Sequence, residues 1–392
     1  MLHRFKTILI MAFLMAMATS SFSQRTVSHK TPLKDKVING PYKAQLDALQ
    51  KVIQQHFYDK TSGYYFAEVD PARREVKNGY RREYTYLWSL CALYQAANEI
   101  EKLEPKAKLM SPLLKLMYQY YSPAPPKGGF TDYIMKLKPG ERYYDDNEWV
   151  GITALDAYAR THQKSDLKLG KDMYDFIMTG YNQVLGGGIY WKEGSTSSKN
   201  TCSNGPGVLV ALQLYQATNN KAYLDTALKI YNWTNKMLQT PSKLYYDNIS
   251  TQDGQIGKAI FSYNTATMLE ANVYLYQITH ETKYLQRANE MADSSLVYFY
   301  GQGKFRDGYW FNAVLLRAYQ HLLQINKNTK YILGFKKCLD DALQNDRNGQ
   351  GLFLQNGQQV RNLVEHGGML EILARFAWLE NHYNLTTGGQ NL

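Results

Sequence analysis

Two kinds of helical run alternate along this chain, and the alternation restricts the folds open to it more than any other feature. Runs at 86–97, 147–158, 207–215, 264–276, 309–319 and 368–378 are apolar around most of their circumference. Between them fall more charged, one-sided runs at 42–57, 105–121, 166–177, 222–238, 283–298 and 330–343. A helix apolar all round must be buried, whereas one with a charged face borders water. Starts of the first kind recur roughly every 45 to 60 residues, the scale of a helix-pair repeat. Some copies share a spelling, as in Leu214-Tyr215-Gln216-Ala217-Thr218 and Leu275-Tyr276-Gln277-Ile278-Thr279. Six such pairs predict an all-α fold, a six-hairpin (α/α)6 barrel with the apolar helices inside and the amphipathic ones outside. An open helical solenoid is the competing arrangement, but it needs polar capping repeats at its ends, and neither end of the sequence spells one.

Loop lengths give the ring a direction. Inner-to-outer connections are short, as at His162-Gln163-Lys164-Ser165. Outer-to-inner ones are long and begin with Gly and aromatic residues, as in Gly128-Gly129-Phe130, Gly186-Gly187-Gly188-Ile189-Tyr190-Trp191 and Gly351-Leu352-Phe353. All the long loops therefore gather where the inner helices start, and ordered loops on a rigid scaffold are where sites are built.

The first residues set the compartment. Arg4 and Lys6 precede an apolar stretch over 8–18 and small residues at Ser20, Ser21 and Ser23. The stretch is too short to span a bilayer, so 1–23 is expected to be a cleaved signal peptide, 24–40 an extension, and 41–385 a single catalytic domain, secreted or periplasmic and monomeric. Three cysteines, Cys91, Cys202 and Cys338, cannot form a disulfide framework. The formal charge of +11 is dispersed and contains no nucleic-acid stripe. The unusual count is 33 Tyr, which with 14 Phe and 6 Trp exceeds what a helical core requires, so many should line a surface or a cleft.

Tyr143-Tyr144-Asp145-Asp146-Asn147-Glu148-Trp149 opens the second inner helix. Locally, Asp145 with Glu148 three residues later spells a capping box, in which side chains satisfy exposed backbone N–H groups. The position of the pair argues for more, because this is the one inner start with adjacent acids, and aromatic side chains bracket it. Two carboxyl groups beside aromatic platforms meet the demand of glycoside chemistry: one attacks or stabilises the anomeric carbon while the other handles the leaving-group proton. Consecutive Cα atoms lie about 3.8 Å apart, so adjacent Asp carboxyls diverge to about 5 Å, short of the roughly 6.5–9.5 Å an inverting glycosidase needs for its water. Retention is therefore expected. The helix N-terminus favours an ionised carboxylate, and like-charge repulsion keeps one proton on the pair near neutral pH. Spacing does not say which aspartate holds it.

Sugar contacts are expected from Tyr86 and Trp88 at the first inner start, Tyr144 and Trp149 beside the acids, Asn204 at the third start, and Tyr263 and Asn264 at the fourth. Helix capping or core packing competes for Trp88, Asn204, Tyr263 and Asn264. Asp132 and Glu148 are further carboxylates near the mouth, and His366 either orients a loop or touches a ligand. No cofactor or metal is expected, for the sequence has no Cys-x-x-Cys, no paired His at helical spacing and no calcium-loop pattern. Gly186 to Gly188 looks like a turn, not a phosphate cradle.

Tyr144-Asp145-Asp146-Asn147-Glu148-Trp149, continuing through Ala154-Leu155-Asp156-Ala157-Tyr158, resembles the central motif of glycoside hydrolase family 76, the bacterial endo-α-1,6-mannanases and their fungal cell-wall relatives. Asn200-Thr201-Cys202-Ser203-Asn204-Gly205-Pro206, Tyr263-Asn264-Thr265-Ala266-Thr267-Met268 and His366-Gly367-Gly368-Met369 extend the likeness over nearly the whole chain after the signal. The resemblance implies a retaining mechanism on α-1,6-mannose backbones, with Asp145 the nucleophile and Asp146 the acid/base. Cys202 departs from many relatives, where an aliphatic or polar residue is commoner. The expected protein is thus a retaining glycosidase acting on α-1,6-mannan or its oligosaccharides. The alternatives are a catalytically silent glycan-binding protein on the same scaffold and a transglycosidase.

Overall fold

A computed structural model of the chain describes residues 39–70, 83–354 and 361–385. The signal expected at 1–23 and nearly all of the extension at 24–40 lie outside the described residues. In chain order the helices are α1 (Pro41–His56), α2 (Leu87–Leu103), α3 (Met110–Met117), α4 (Tyr144–Thr161), α5 (Lys164–Ile177) and α6 (Thr201–Thr218). They continue as α7 (Lys221–Leu238), α8 (Ser262–Thr279), α9 (Thr282–Tyr300), α10 (Tyr309–Asn326), α11 (Lys330–Asn345) and α12 (Leu363–His382). Each even-numbered helix packs on the next, and α12 packs back on α2, so the ring closes and the open solenoid is excluded. The fold is an (α/α)6 barrel.

Burial follows the two sequence classes. The outer helix α1 buries Tyr42, Leu46, Leu49 and Ile53, one stripe at helical spacing, while the inner helix α6 is buried continuously from Thr201 to Leu214. Helix starts differ from the expected runs in several places, those of α3 and α6 among them. The residue before a proline resists helical geometry, so Glu104-Pro105 stops α2; with Lys108 in the left-handed region at φ 51°, α3 starts only at Met110. Helix α6 begins at Thr201, well before 207, because Gly205, Pro206 and Gly207 conceal its first turns from apolar periodicity.

The long connections share one construction. In five of them a residue shortly after the outer helix pairs antiparallel with the Gly-aromatic fragment: Tyr58 with Tyr65, Tyr121 with Phe130, Tyr181 with Ile189, Gln239 with Tyr245, and Arg347 with Phe353. In three of these the fourth residue of the following inner helix then grips the fragment. Asn147 accepts from Phe130 N (2.7 Å) and donates to its carbonyl (2.9 Å). Asn204 does the same at Ile189 (2.8 and 2.9 Å), and His366 Nε2 accepts from Phe353 N (3.1 Å). Short strands finish the rim. β1 (Glu68–Val69) pairs with the last strand, β7 (Arg361–Asn362), joining the first and last connections, and β2 (Tyr121–Ser122) pairs with β3 (Gly129–Phe130). β4 (Ser198–Asn200), β5 (Tyr246–Ser250) and β6 (Ile256–Ile260) form an antiparallel sheet in that order, beyond the Gly-aromatic fragments legible in the sequence.

The opposite end is sealed by ion pairs from the middle and C-terminal halves of the inner helices. Arg317 of α10 donates through Nε to both oxygens of Glu270 on α8 (2.9 Å each) and through its terminal nitrogens to Asp156 on α4. Arg375 of α12 pairs with Glu371 (2.7 Å) and with Glu99 of α2 (3.3 Å).

Candidate active site

The inner helices all start at one end, so their second residues form a ring: Trp88, Asp145, Cys202, Tyr263, Trp310 and Val364. Five of these six line a cleft of about 770 Å³, joined by Tyr86, Ser89, Asp132, Tyr143, Asp146, Trp149, Trp191 and Phe311 among others. Cys202, the sixth, sits just beneath, its thiol hydrogen-bonded to the Asp145 carboxyl and in contact with the Tyr263 hydroxyl.

The acid pair does not cap its helix. Tyr143 is the N-cap and no side chain caps it, which removes the capping-box expectation for Asp145 and Glu148. Asp145 Oδ1 accepts the Asp146 N–H (3.1 Å), and Oδ2 accepts the indole N–H of Trp191 (3.1 Å). Burial pushes its carboxyl up to about 6, against these donors and the Cys202 thiol, all of which favour the anion. No hydrogen-bond donor among the described residues reaches the Asp146 carboxyl. Burial, then the charge of Asp145 and that of Asp132, push it well above the carboxylate range. The neighbours therefore divide the work physically: Asp145 ionises first and Asp146 keeps a proton. Glu148 lies fully buried one turn below Asp145, neither oxygen partnered, with Gly207 leaving it room, and burial holds it neutral.

Of the expected sugar contacts, Tyr86, Trp88, Trp149 and Tyr263 border the cleft with Asp145 and Asp146. Trp88 is 37% exposed, free to offer a ring face, whereas Trp149 is a floor residue, its ring edge-on to Trp310 at 5.6 Å. Tyr263 stacks on Phe311 at 4.0 Å. Tyr86 leans on Tyr133 (5.3 Å) and donates to Glu83 (3.2 Å).

Three others stand elsewhere. Tyr144, the first residue of α4, points outward, stacking on Phe176 of α5 at 5.2 Å with its hydroxyl at Thr179. Asn204 is the fully buried grip on Ile189 described above, and Asn264, also buried, donates to Asp247 Oδ1 (3.2 Å). Cys202 is the second residue of α6. Sequence reasoning missed Trp191, Trp310 and Phe311. Trp191 is 41% exposed and leans on Tyr143 at 5.0 Å, a second platform across the acids from Trp88. The signal that finds Trp310 is its place, second in an inner helix, matching Trp88 and Asp145.

Residues 42–337 match the sequence profile of glycosyl hydrolase family 76. The chain belongs to this family. Over 189 residues the family 76 chain is 27% identical to mannan endo-1,6-α-mannosidase DCW1 of Saccharomyces cerevisiae, covering 44% of this chain and 42% of that protein. It thus spans less than half the length of the curated relatives it matches. A family 76 α-mannanase from Bacteroides thetaiotaomicron shares the fold with a TM-score of 0.78 at 23% identity, covering 86% of this chain and 96% of the other. An α-1,6-mannanase from Salegentibacter sp. does so at 0.69 and 24% identity, covering 86% and 99%. That enzyme was solved with α-1,6-mannotriose as an inactive variant in which two neighbouring aspartates are asparagines.

Proposed function

We propose that this family 76 protein is a retaining glycosidase that cleaves α-1,6-mannosidic bonds within mannan, with Asp145 as nucleophile and Asp146 as acid/base. The unequal environments of the pair carry this reading. Asp145 is served by the donors of Trp191, Cys202 and its own backbone, which stabilise the anion that must attack the anomeric carbon. Asp146, still protonated, gives its proton to the departing glycosidic oxygen, and a mannosyl ester forms on Asp145. The Asp146 carboxylate then takes a proton from water, which attacks the anomeric carbon, releases the Asp145 carboxylate and restores both groups.

Support for an internal cut comes from the platforms. In ring order α4 stands between α2, which carries Trp88, and the connection into α6, which carries Trp191, so exposed indoles flank the acids on both sides. An extended chain crossing the cleft finds a stacking partner on each side of the scissile bond. The relatives named for α-1,6-mannan and the removal of two neighbouring aspartates to inactivate one of them fit the same assignment. An exported location belongs to the proposal through the basic and apolar residues at the start of the sequence. No helix among the described residues is long and apolar enough to cross a membrane.

Linear α-1,6-mannan incubated with the wild-type chain is expected to give a ladder of reducing oligosaccharides with retained anomeric configuration. Asp145→Asn and Asp146→Asn should each lower kcat at least about a thousandfold while the circular dichroism spectrum is unchanged. Binding of mannotriose with no reducing ends released by the wild type would leave a glycan-binding protein in place of a hydrolase.

A further inference from the structure

Lys199, the middle residue of β4, is a fully buried amine that the acid pair does not use. No carboxylate among the described residues accepts from it. Its Nζ donates to Asn182 Oδ1 (2.8 Å) and to the backbone carbonyls of Val184 (2.8 Å), Gly187 and Asn182 (3.4 Å). The rings of Tyr190 and of Trp233 on α7 stand 4.9 and 5.6 Å from it. Four successive residues with positive φ, Leu185 (58°), Gly186 (82°), Gly187 (144°) and Gly188 (88°), bend the chain around the ammonium. The glycine triplet is thus the turn expected from sequence, but one that wraps a charge. Buried ammonium is costly unless its protons are all bonded, and inward carbonyls are costly unless something donates to them, so each holds the other in place.

The same segment ends at Trp191, whose indole meets Asp145. Asn204 fixes Ile189 between them, and the carbonyl of Ser198, beside Lys199, receives the Trp191 N–H (3.4 Å). We propose that Lys199 is a positioning residue, an internal cation that shapes the turn over 182–188 and so sets Trp191 against Asp145. The proposal rests on Asp145 being the working carboxylate. Tyr190 is the one titratable group among those facing Nζ; Asn182, Val184, Gly187 and Trp233 bring none. Burial lowers the amine to about 8, so the cage loses its charge as pH rises through that value and Trp191 loosens.

The test uses the full chain. Lys199→Met, uncharged and of similar length, should lower kcat/KM on α-1,6-mannan about 10- to 100-fold, the cost of a small misplacement at the reacting centre. Lys199→Gln, which keeps a donor without the charge, should show the same loss and guards against a misfolded methionine variant. In a Trp191→Phe background neither substitution should cost more than about twofold, because the path to Asp145 is already cut. A readout independent of turnover is amide hydrogen exchange at fixed pH: segment 182–191 should exchange faster in Lys199→Ala and slow again when methylammonium fills the empty carbonyl cage. Undisturbed exchange, or an equal loss of kcat/KM with and without Trp191, would overturn the proposal. Faster exchange in a chain whose wild type shows no turnover would instead count against the glycosidase reading and leave the cation in place.

Discussion

Asp145 and Asp146 are adjacent in sequence and unlike in surroundings, and the difference is set by neighbours brought from other elements. Trp191 supplies the one side-chain nitrogen that bonds the Asp145 carboxylate. A donor to a carboxylate favours its charged form, so removing it must raise the pKa from about 6. Trp191→Phe is expected to move the acidic limb of the kcat/KM profile upward by about one pH unit, the equivalent of a charged hydrogen bond of ~1.4 kcal/mol. A limb that stays in place while activity falls would mean that the indole acts only as a sugar platform. The acid pair itself was legible in the sequence from its adjacency, its helix start and its aromatic company. What was not legible is phase. The expected starts at 147 and 207 miss the true ones at Tyr144 and Thr201, and each residue turns the direction of a side chain by about 100°. That is why Tyr144 was expected in the cleft but lies against α5.

Between helices, the same fastening recurs: a fragment paired to the end of an outer helix and gripped by the fourth residue of the next inner one. Its energetic role can be read at Asn204, whose removal leaves the Ile189 N–H and carbonyl unpaired in a buried place. Asn204→Ala should cost about 2–4 kcal/mol, seen as a lower urea midpoint with an unchanged slope, and should also reduce kcat because Trp191 follows two residues later. A midpoint shift below about 0.5 kcal/mol would show that the fragment holds without its grip. Asn204 and Asn264 looked like ligand contacts because polar residues at a helix start near a cleft serve either role, and only the direction of the amide separates them. The alternation of helix classes, by contrast, was readable throughout, since it depends on summed apolarity over many residues and not on any single orientation. The hairpin of β5 and β6 escaped notice because its strands are short and half polar, as at Tyr246-Asp247-Asn248.

Across the molecule, the Arg317 and Arg375 pairs join inner helices that do not touch in sequence, filling the end of the ring away from the cleft. Burial alone would raise the Glu270 carboxyl, yet Arg317 and His321 hold it far below the usual range. A depressed folded-state pKa stabilises above the unfolded value of 4.5 and is lost as pH falls toward the folded one. Arg317→Met should therefore destabilise by about 3–5 kcal/mol near pH 7, where Glu270 is left charged and buried. The deficit should shrink near pH 4, where Glu270 in the variant takes up a proton at little cost. Thermal midpoints at both pH values check this, and an equal deficit at each would show that lost packing, not charge, is responsible.

Closure of the ring carries a last consequence. Helix α12 is the twelfth in chain order and packs on both α2 and α10. Until α12 docks, then, the folding barrel is an open crescent whose end flanks on α2 and α10 present apolar residues to water. Exposed apolar surface of that kind makes a folding intermediate prone to aggregation, and the docking of α12 ends it.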